Sequence, residues 1–180
     1  IAKAAASFYK LAIYGQARAT SEHFMPKYEL DAIDRRIIAE LQRNGRLTNV
    51  ELAERVGLSP SPCLRRVRML EEQGAIQGYV ALVDPAALGI NMNVFVRVSL
   101  ERQTEEYLDR FESAVRESPE IMECYLMTGD ADYHLRVVVP DLAAYEHFLK
   151  SFLTRIPGVT SIRSSFALKQ ISYTTALPVE

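Results

Sequence analysis

The spacing of apolar residues changes between Gly74 and Val94, and that change constrains what the chain can fold into. Up to Gly74 the apolar positions recur on a period of about 3.6, and from Val94 to Leu100 they recur on a period of 2. Between them lies Asp84-Pro85 to Asn91, with Pro85, Gly89 and Asn91 as breakers. A helical half and a strand-bearing half specify an α+β chain of two units, residues 28–84 and 85–180.

In the first unit, Leu30, Ile33, Ile37, Ile38 and Leu41 make one apolar stripe, and Asn44-Gly45 is expected to end that helix with a left-handed residue. Thr48 and Glu51 read as a capping box for a short second helix that buries Val50, Leu52, Ala53 and Val56 and stops at Gly57. Ser61-Pro62 is expected to cap a third helix over Cys63–Gln73. Short helix, tight turn and helix make a helix-turn-helix, and the alternating Ala75–Val83 is expected as a β wing or tether.

The second unit opens with a strand in which Val94, Val96, Val98 and Leu100 alternate with Phe95, Arg97 and Ser99. Tyr107, Leu108, Phe111, Ala114 and Val115 then define a helix ended by Ser118-Pro119. Ile121–Met127 and Tyr133–Val139 are strands joined by a hairpin turn, residues 128–132. Tyr145, Phe148, Leu149, Phe152 and Leu153 give a second helix, and Val159–Lys169 a last strand. The order is βαββαβ, a ferredoxin-like arrangement. Its helices cover one sheet face, and the other face, with Phe95 and Val138, is expected to pair two copies as an isologous dimer. Met92, Met122 and Met127 are expected to pack in the core.

Composition narrows the function. In 180 residues, 21 Lys and Arg oppose 23 Asp and Glu, so nucleic-acid binding has to come from a local basic patch. Two distant cysteines, Cys63 and Cys124, support neither a disulfide framework nor a zinc site, and fit a reducing, cytoplasmic setting. No apolar run approaches the ~18 residues of a membrane span. His23, His134 and His147 stand isolated and phosphate-binding glycine loops are absent, so no catalytic residue, cofactor or metal is expected. Residues 1–27 read as a leader or appended extension; removal of residues 1–24 is expected to leave folding and activity intact.

The basic patch is in the third helix. A helical projection places Cys63, Leu64, Val67 and Leu70 on the buried side, Ser61, Arg65, Arg68 and Glu72 on the other, and Arg66 and Met69 between. No acidic residue occurs from Ser59 to Leu70, although residues 28–84 hold eight basic and nine acidic side chains, and Arg43, Arg46 and Arg55 add charge from the preceding helices. An ordinary solvated face is the commoner origin of such a helix; the segregation of charge favours double-stranded DNA. Arginine's planar fork reads guanine in the major groove and its fixed charge pairs with phosphate. Ser59, Ser61, Pro62 and Arg65 are the expected readers, and Arg66 and Arg68 the phosphate holders. Cys63 points coreward as a small hydrophobe.

These residues carry a family resemblance. LDAIDRRIIAELQRNGR, NVELAERVGLSPSPCLRRVRMLEEQGAIQGY and the later GDADY resemble the Lrp/AsnC transcription regulators over about residues 28–170. The resemblance implies a winged helix-turn-helix on Asn49–Arg68, which brings Asn49 and Pro60 into the DNA-binding set, and a cytoplasmic, nucleoid-associated regulator whose homodimers assemble into octamers. The segment before Leu30 is foreign to the family pattern. The resemblance also implies an amino-acid effector between dimers, beside the turn of Thr128, Gly129, Asp130, Asp132 and Tyr133, which the chemistry alone leaves as an ordinary hairpin. There a glycine turn would offer N–H groups to a carboxylate and an aspartate would meet the ammonium. Leu126, Leu142 and Phe166 are candidates for an apolar wall suited to leucine or methionine. The rival reading is a stand-alone amino-acid-sensing or interaction protein without DNA binding.

Overall fold

The computed structural model describes residues 29–179; the expected leader and His23 lie outside them. Contacts divide the described chain into two units, residues 82–170 and residues 29–81 together with 171–179.

In the helical unit, α1 spans Ala32–Arg43, α2 Asn49–Val56 and α3 Pro60–Glu72. The Asp31 carboxylate starts α1 by accepting from the N–H groups of Ile33 and Asp34, both at 2.8 Å, and Asp34 returns a bond to the Asp31 N–H. Each bond satisfies a donor that the first turn would otherwise leave unpaired. Thr48 and Glu51 make the expected box at α2, and Gly57 closes it at φ 73°, a conformation that costs a Cβ-bearing residue about 1 kcal/mol or more. Ile37, Leu52, Ala53, Val56, Cys63 and Leu70 form the core, with Leu30, Ile33, Ile38 and Leu41 packed against it.

Four local expectations differ. Asn44 has extended φ and ψ, and Gly45 does not take a positive φ; the Asn44 side chain ends α1 by accepting from the Arg46 N–H at 3.0 Å. The third helix begins at Pro60 after Ser59, three residues before Cys63, because both prolines fit a first turn whose N–H groups have no intrahelical partner anyway. Val50 and Leu64 are exposed, since an eight-residue helix and its neighbour bury only a narrow stripe. No strand forms over 77–83 among the described residues: Tyr79, Val80, Leu82 and Val83 are exposed, and a ladder needs a neighbouring strand.

The second unit follows the expected order: β1 Met92–Leu100, α4 Glu105–Glu117, β2 Ile121–Leu126, β3 Tyr133–Val139, α5 Leu142–Ser151 and β4 Val159–Phe166. The sheet order is β2-β3-β1-β4, antiparallel throughout. Val94, Val96 and Val98 are wholly buried with Phe111, Val115, Tyr145 and Phe148 from the two helices. Each such valine contributes about 1.5–3 kcal/mol, which makes β1 the anchor of the sheet. The α5 pattern breaks at Phe152, and Leu153–Arg155 form a 3-10 turn. Asn93, Phe95, Arg97 and Ser99 point to the opposite sheet face, where Phe95 is exposed. Met92 packs on the core as expected, whereas Met122 and Met127, on the edge strand and its turn, are exposed.

Candidate DNA-binding face and ligand site

α3 is held from below by buried Cys63 and Leu70 and from its first turn by Asn49, whose Nδ2 donates to the Pro60 carbonyl at 2.8 Å. Asn49 therefore stitches α2 to the start of α3, and its buried Oδ1 has no hydrogen-bond partner among the described residues. Ser59 makes no side-chain capping bond. A cap bonds the N–H of the second or third helical residue, and the third, Pro62, has none to give. The serine hydroxyl and the Ser61 N–H are left at the positive end of the helix.

Arg65 and Arg68 are exposed, and among the described residues no carboxylate lies within ion-pair distance of either. Arg66 is drawn away from that face. Its Nη1 donates to Asp31 at 2.7 Å and to Asp34 at 2.8 Å, and those carboxylates hold its pKa above the ordinary value. Arg66 thus ties α3 to the N-terminus of α1, an ion pair that competes with the expected phosphate role. Arg43 and Arg55 likewise converge on Glu40, at 2.7 and 3.1 Å, so the basic context from α1 and α2 is smaller than the sequence implied. Bonds from Arg55 first, then the charge of Arg43, hold Glu40 below the ordinary carboxylate range.

The expected effector residues separate into two groups. Asp132 is buried; its carboxylate accepts from the Leu100 N–H at 2.6 Å and from the Gln103 side chain. Each oxygen thus accepts one bond, and together they pin the turn to the end of β1 and the segment after it. Tyr133 is also inside, against Phe111 with ring centroids 4.4 Å apart, and donates to Glu112 at 3.1 Å. Burial first, then the Glu112 charge, pushes its pKa up. Leu126, Leu142 and Phe166 are exposed, but Leu126 ends β2 and Phe166 ends β4, opposite edges of the sheet. Three strand spacings, about 14 Å, separate those edges, so the two cannot wall one pocket within a single chain. Phe166 instead stacks edge-on against Tyr145, 5.4 Å away.

Thr128, Gly129 and Asp130 remain exposed at the turn, with Gly129 at φ 131°. Asp130 reaches Arg97 at 3.4 Å and Arg163 at 4.0 Å. With Ser99, Ala131 and Ser161 these residues line a concavity of about 30 Å³. Arg97 and Arg163 were missed from sequence: the βαββαβ order implies that β1 lies beside β4, but nothing in the apolar pattern fixes the register that opposes them. Among the described residues no cluster of His, Cys, Asp and Glu could hold a metal.

Comparison with known proteins matches both units. Residues 30–77 match the winged helix-turn-helix DNA-binding model and residues 93–177 the Lrp/AsnC ligand binding domain. The Bkd operon transcriptional regulator of Pseudomonas aeruginosa is 55% identical over 151 residues, 84% of this chain and 99% of that protein. The chain belongs to the Lrp/AsnC family. The leucine-responsive regulatory protein of Escherichia coli K12 is 46% identical over 155 residues, 86% of this chain and 94% of its own length. A transcriptional regulator of Neisseria meningitidis, solved as a complex with L-methionine, superposes with a TM-score of 0.79 at 45% identity, covering 83% of this chain and 97% of that one. This Lrp/AsnC protein is a transcriptional regulator with a DNA-binding helix-turn-helix and a ligand-binding domain, and not an enzyme. Among its described residues no helix is long and apolar enough to cross a membrane.

Proposed function

We propose that this regulator reads specific duplex sites through Arg65 and the Ser59, Pro60, Ser61 and Pro62 turn, and that Arg68 holds backbone phosphate. The carrying observation is that Arg65 and Arg68 are exposed on α3 and free of carboxylate partners among the described residues, while Arg66 between them is paired with Asp31 and Asp34. Asn49 serves by fixing the approach of α3. The ligand is a small amino acid, with leucine and methionine favoured because relatives respond to or are complexed with them by name. Copies pair through the open sheet face around Phe95 and Val138, and dimers assemble further toward an octamer, so that one particle presents recognition helices one helical turn apart or a multiple of it. The effector acts by preferring one assembly over another. A protein of this kind works in the cytoplasm on the nucleoid.

Salt-dependent binding to an operator duplex tests the reading. Arg65→Ala is expected to lose about 1–3 kcal/mol and relax sequence choice. Arg68→Ala is expected to weaken all sequences alike and to reduce the salt slope by about 1. Equal, salt-insensitive binding of the wild type and both variants would remove the DNA assignment.

A further inference from the structure

We infer that the cleft between the C-terminal end of α4 and α5 binds a small organic cation, an amine carried on a short apolar body. The cleft holds about 500 Å³, within the roughly 300–1,000 Å³ of small-molecule sites, and lies on the helix-covered side of the sheet. Its back wall is Val139 and Pro140, at the end of β3, whereas the turn of Gly129 and Asp130 precedes the start of β3 at Tyr133. About 20 Å of strand separates the two, so the cleft is a site apart from both that turn and the open sheet face. The floor is aromatic: Phe148 and Phe152, one helical turn apart, have ring centroids 5.4 Å apart and planes tilted by 33°. The faces of such rings carry partial negative charge and attract cations.

The rim supplies the sign. Glu117 is the last residue of α4, and Glu120 immediately precedes β2. Among the described residues no cation lies within ion-pair distance of either, because neighbouring Arg116 is committed to Glu112 at 2.8 Å and Lys150 to Glu146. Glu117 also stands at the negative end of the α4 dipole, where a carboxylate is disfavoured and a cation is favoured. The positive end of α5 is already answered by Asp141, whose carboxylate accepts from the Ala144 N–H at 2.8 Å. Ser151 donates its hydroxyl to the His147 carbonyl at 2.7 Å and keeps oxygen lone pairs for an N–H donor, and His147 adds no negative charge. Two carboxylates and two rings around an apolar space fit an ammonium on a short hydrocarbon. A free amino acid would set its own carboxylate beside Glu117 and Glu120, so this ligand class differs from that of the effector.

Thermal shift and calorimetry on the full chain test this, with isopentylamine and phenethylamine as probes and isopentanol, phenethyl alcohol, isovalerate, L-leucine and a short Lys- and Arg-bearing peptide as comparators. The amines are expected to raise Tm and to bind at least about tenfold more tightly than the alcohols of the same shape, with an affinity that falls as salt rises. Glu117→Gln and Glu120→Gln are each expected to weaken the amines about tenfold, and Phe152→Leu about threefold. The ligand-free Glu117→Gln protein is expected to melt at or above the wild-type temperature, because a carboxylate has left the negative end of α4. L-Leucine is expected not to displace the amines; displacement would put both ligands in one place and overturn the separate site. Amines that leave Tm unchanged, alcohols that match them, or variants that bind as the wild type does would overturn the inference and leave the reading of DNA and amino-acid binding intact. Tighter capture of the basic peptide than of either amine would also overturn it, and would give the cleft to a protein partner.

Discussion

Arg66 separates two accounts of α3, because a phosphate contact and a structural ion pair respond differently to its removal. The Asp34 side chain is 3% exposed and among the described residues accepts two bonds, one from Arg66 at 2.8 Å and one from the Asp31 N–H at 3.2 Å. Arg66→Ala leaves that buried carboxylate half satisfied. Orphaning one partner of a buried pair costs roughly 3–5 kcal/mol; Arg66 is 26% exposed, so water relieves part of it and about 2 kcal/mol remains. For a unit of this size that corresponds to a fall in Tm on the order of 10 °C. Asp34→Ala alone is expected to be similarly costly, and the double variant less so than the sum, by about 1–2 kcal/mol of coupling. Urea denaturation of the four proteins measures this directly, with DNA titrations at several salt concentrations alongside. An unchanged stability together with a salt slope reduced by about 1 would return Arg66 to the phosphates and refute the reasoning.

Other expectations follow from the same geometry. Asp132→Ala should lose about 2 kcal/mol in denaturation, since the Leu100 N–H and the Gln103 amide both lose their acceptor; an unchanged midpoint would contradict its structural role. Gly158→Ala should destabilise by about 1–3 kcal/mol, because φ is 92° there and a Cβ would strike the Tyr107 ring; a neutral effect by calorimetry would show that Tyr107 moves aside freely. Glu51 has its pKa held below the ordinary 4.5, first by the Thr48 N–H and then by the Thr48 hydroxyl. A carboxylate with a depressed folded pKa adds stability above 4.5 that is lost as the pH falls through the folded value. Acid titration of Glu51→Gln followed by circular dichroism should therefore show a shallower loss of helix than the wild type below that pH, and parallel curves would count against the box.

Much of the fold was legible because apolar period and turn chemistry are local. The Thr48 and Glu51 box, the Gly57 stop and the alternation from Val94 to Leu100 each act within one element, and each formed as the pattern implied. What was not legible depends on contacts distant in sequence. The burial of Asp132, and its bonds from the Leu100 N–H and the Gln103 side chain, depend on residues about thirty positions away. Arg66 looked like its neighbours Arg65 and Arg68, and only the docking of α1 distinguishes it. The strand order, which puts Leu126 and Phe166 on opposite edges of one sheet, is likewise not written in the apolar pattern. The expected wing, residues 75–83, forms no strand because its alternation finds no neighbouring strand among the described residues.

Photo-cross-linking probes the central assignment most directly. A benzophenone side chain placed at position 65, on the open face of α3, is expected to capture an operator duplex in a salt-sensitive manner, while the same group at position 110, on α4, captures none. Capture from position 110 but not from 65 would mean that the exposed guanidinium face of α3 is not where the duplex lies.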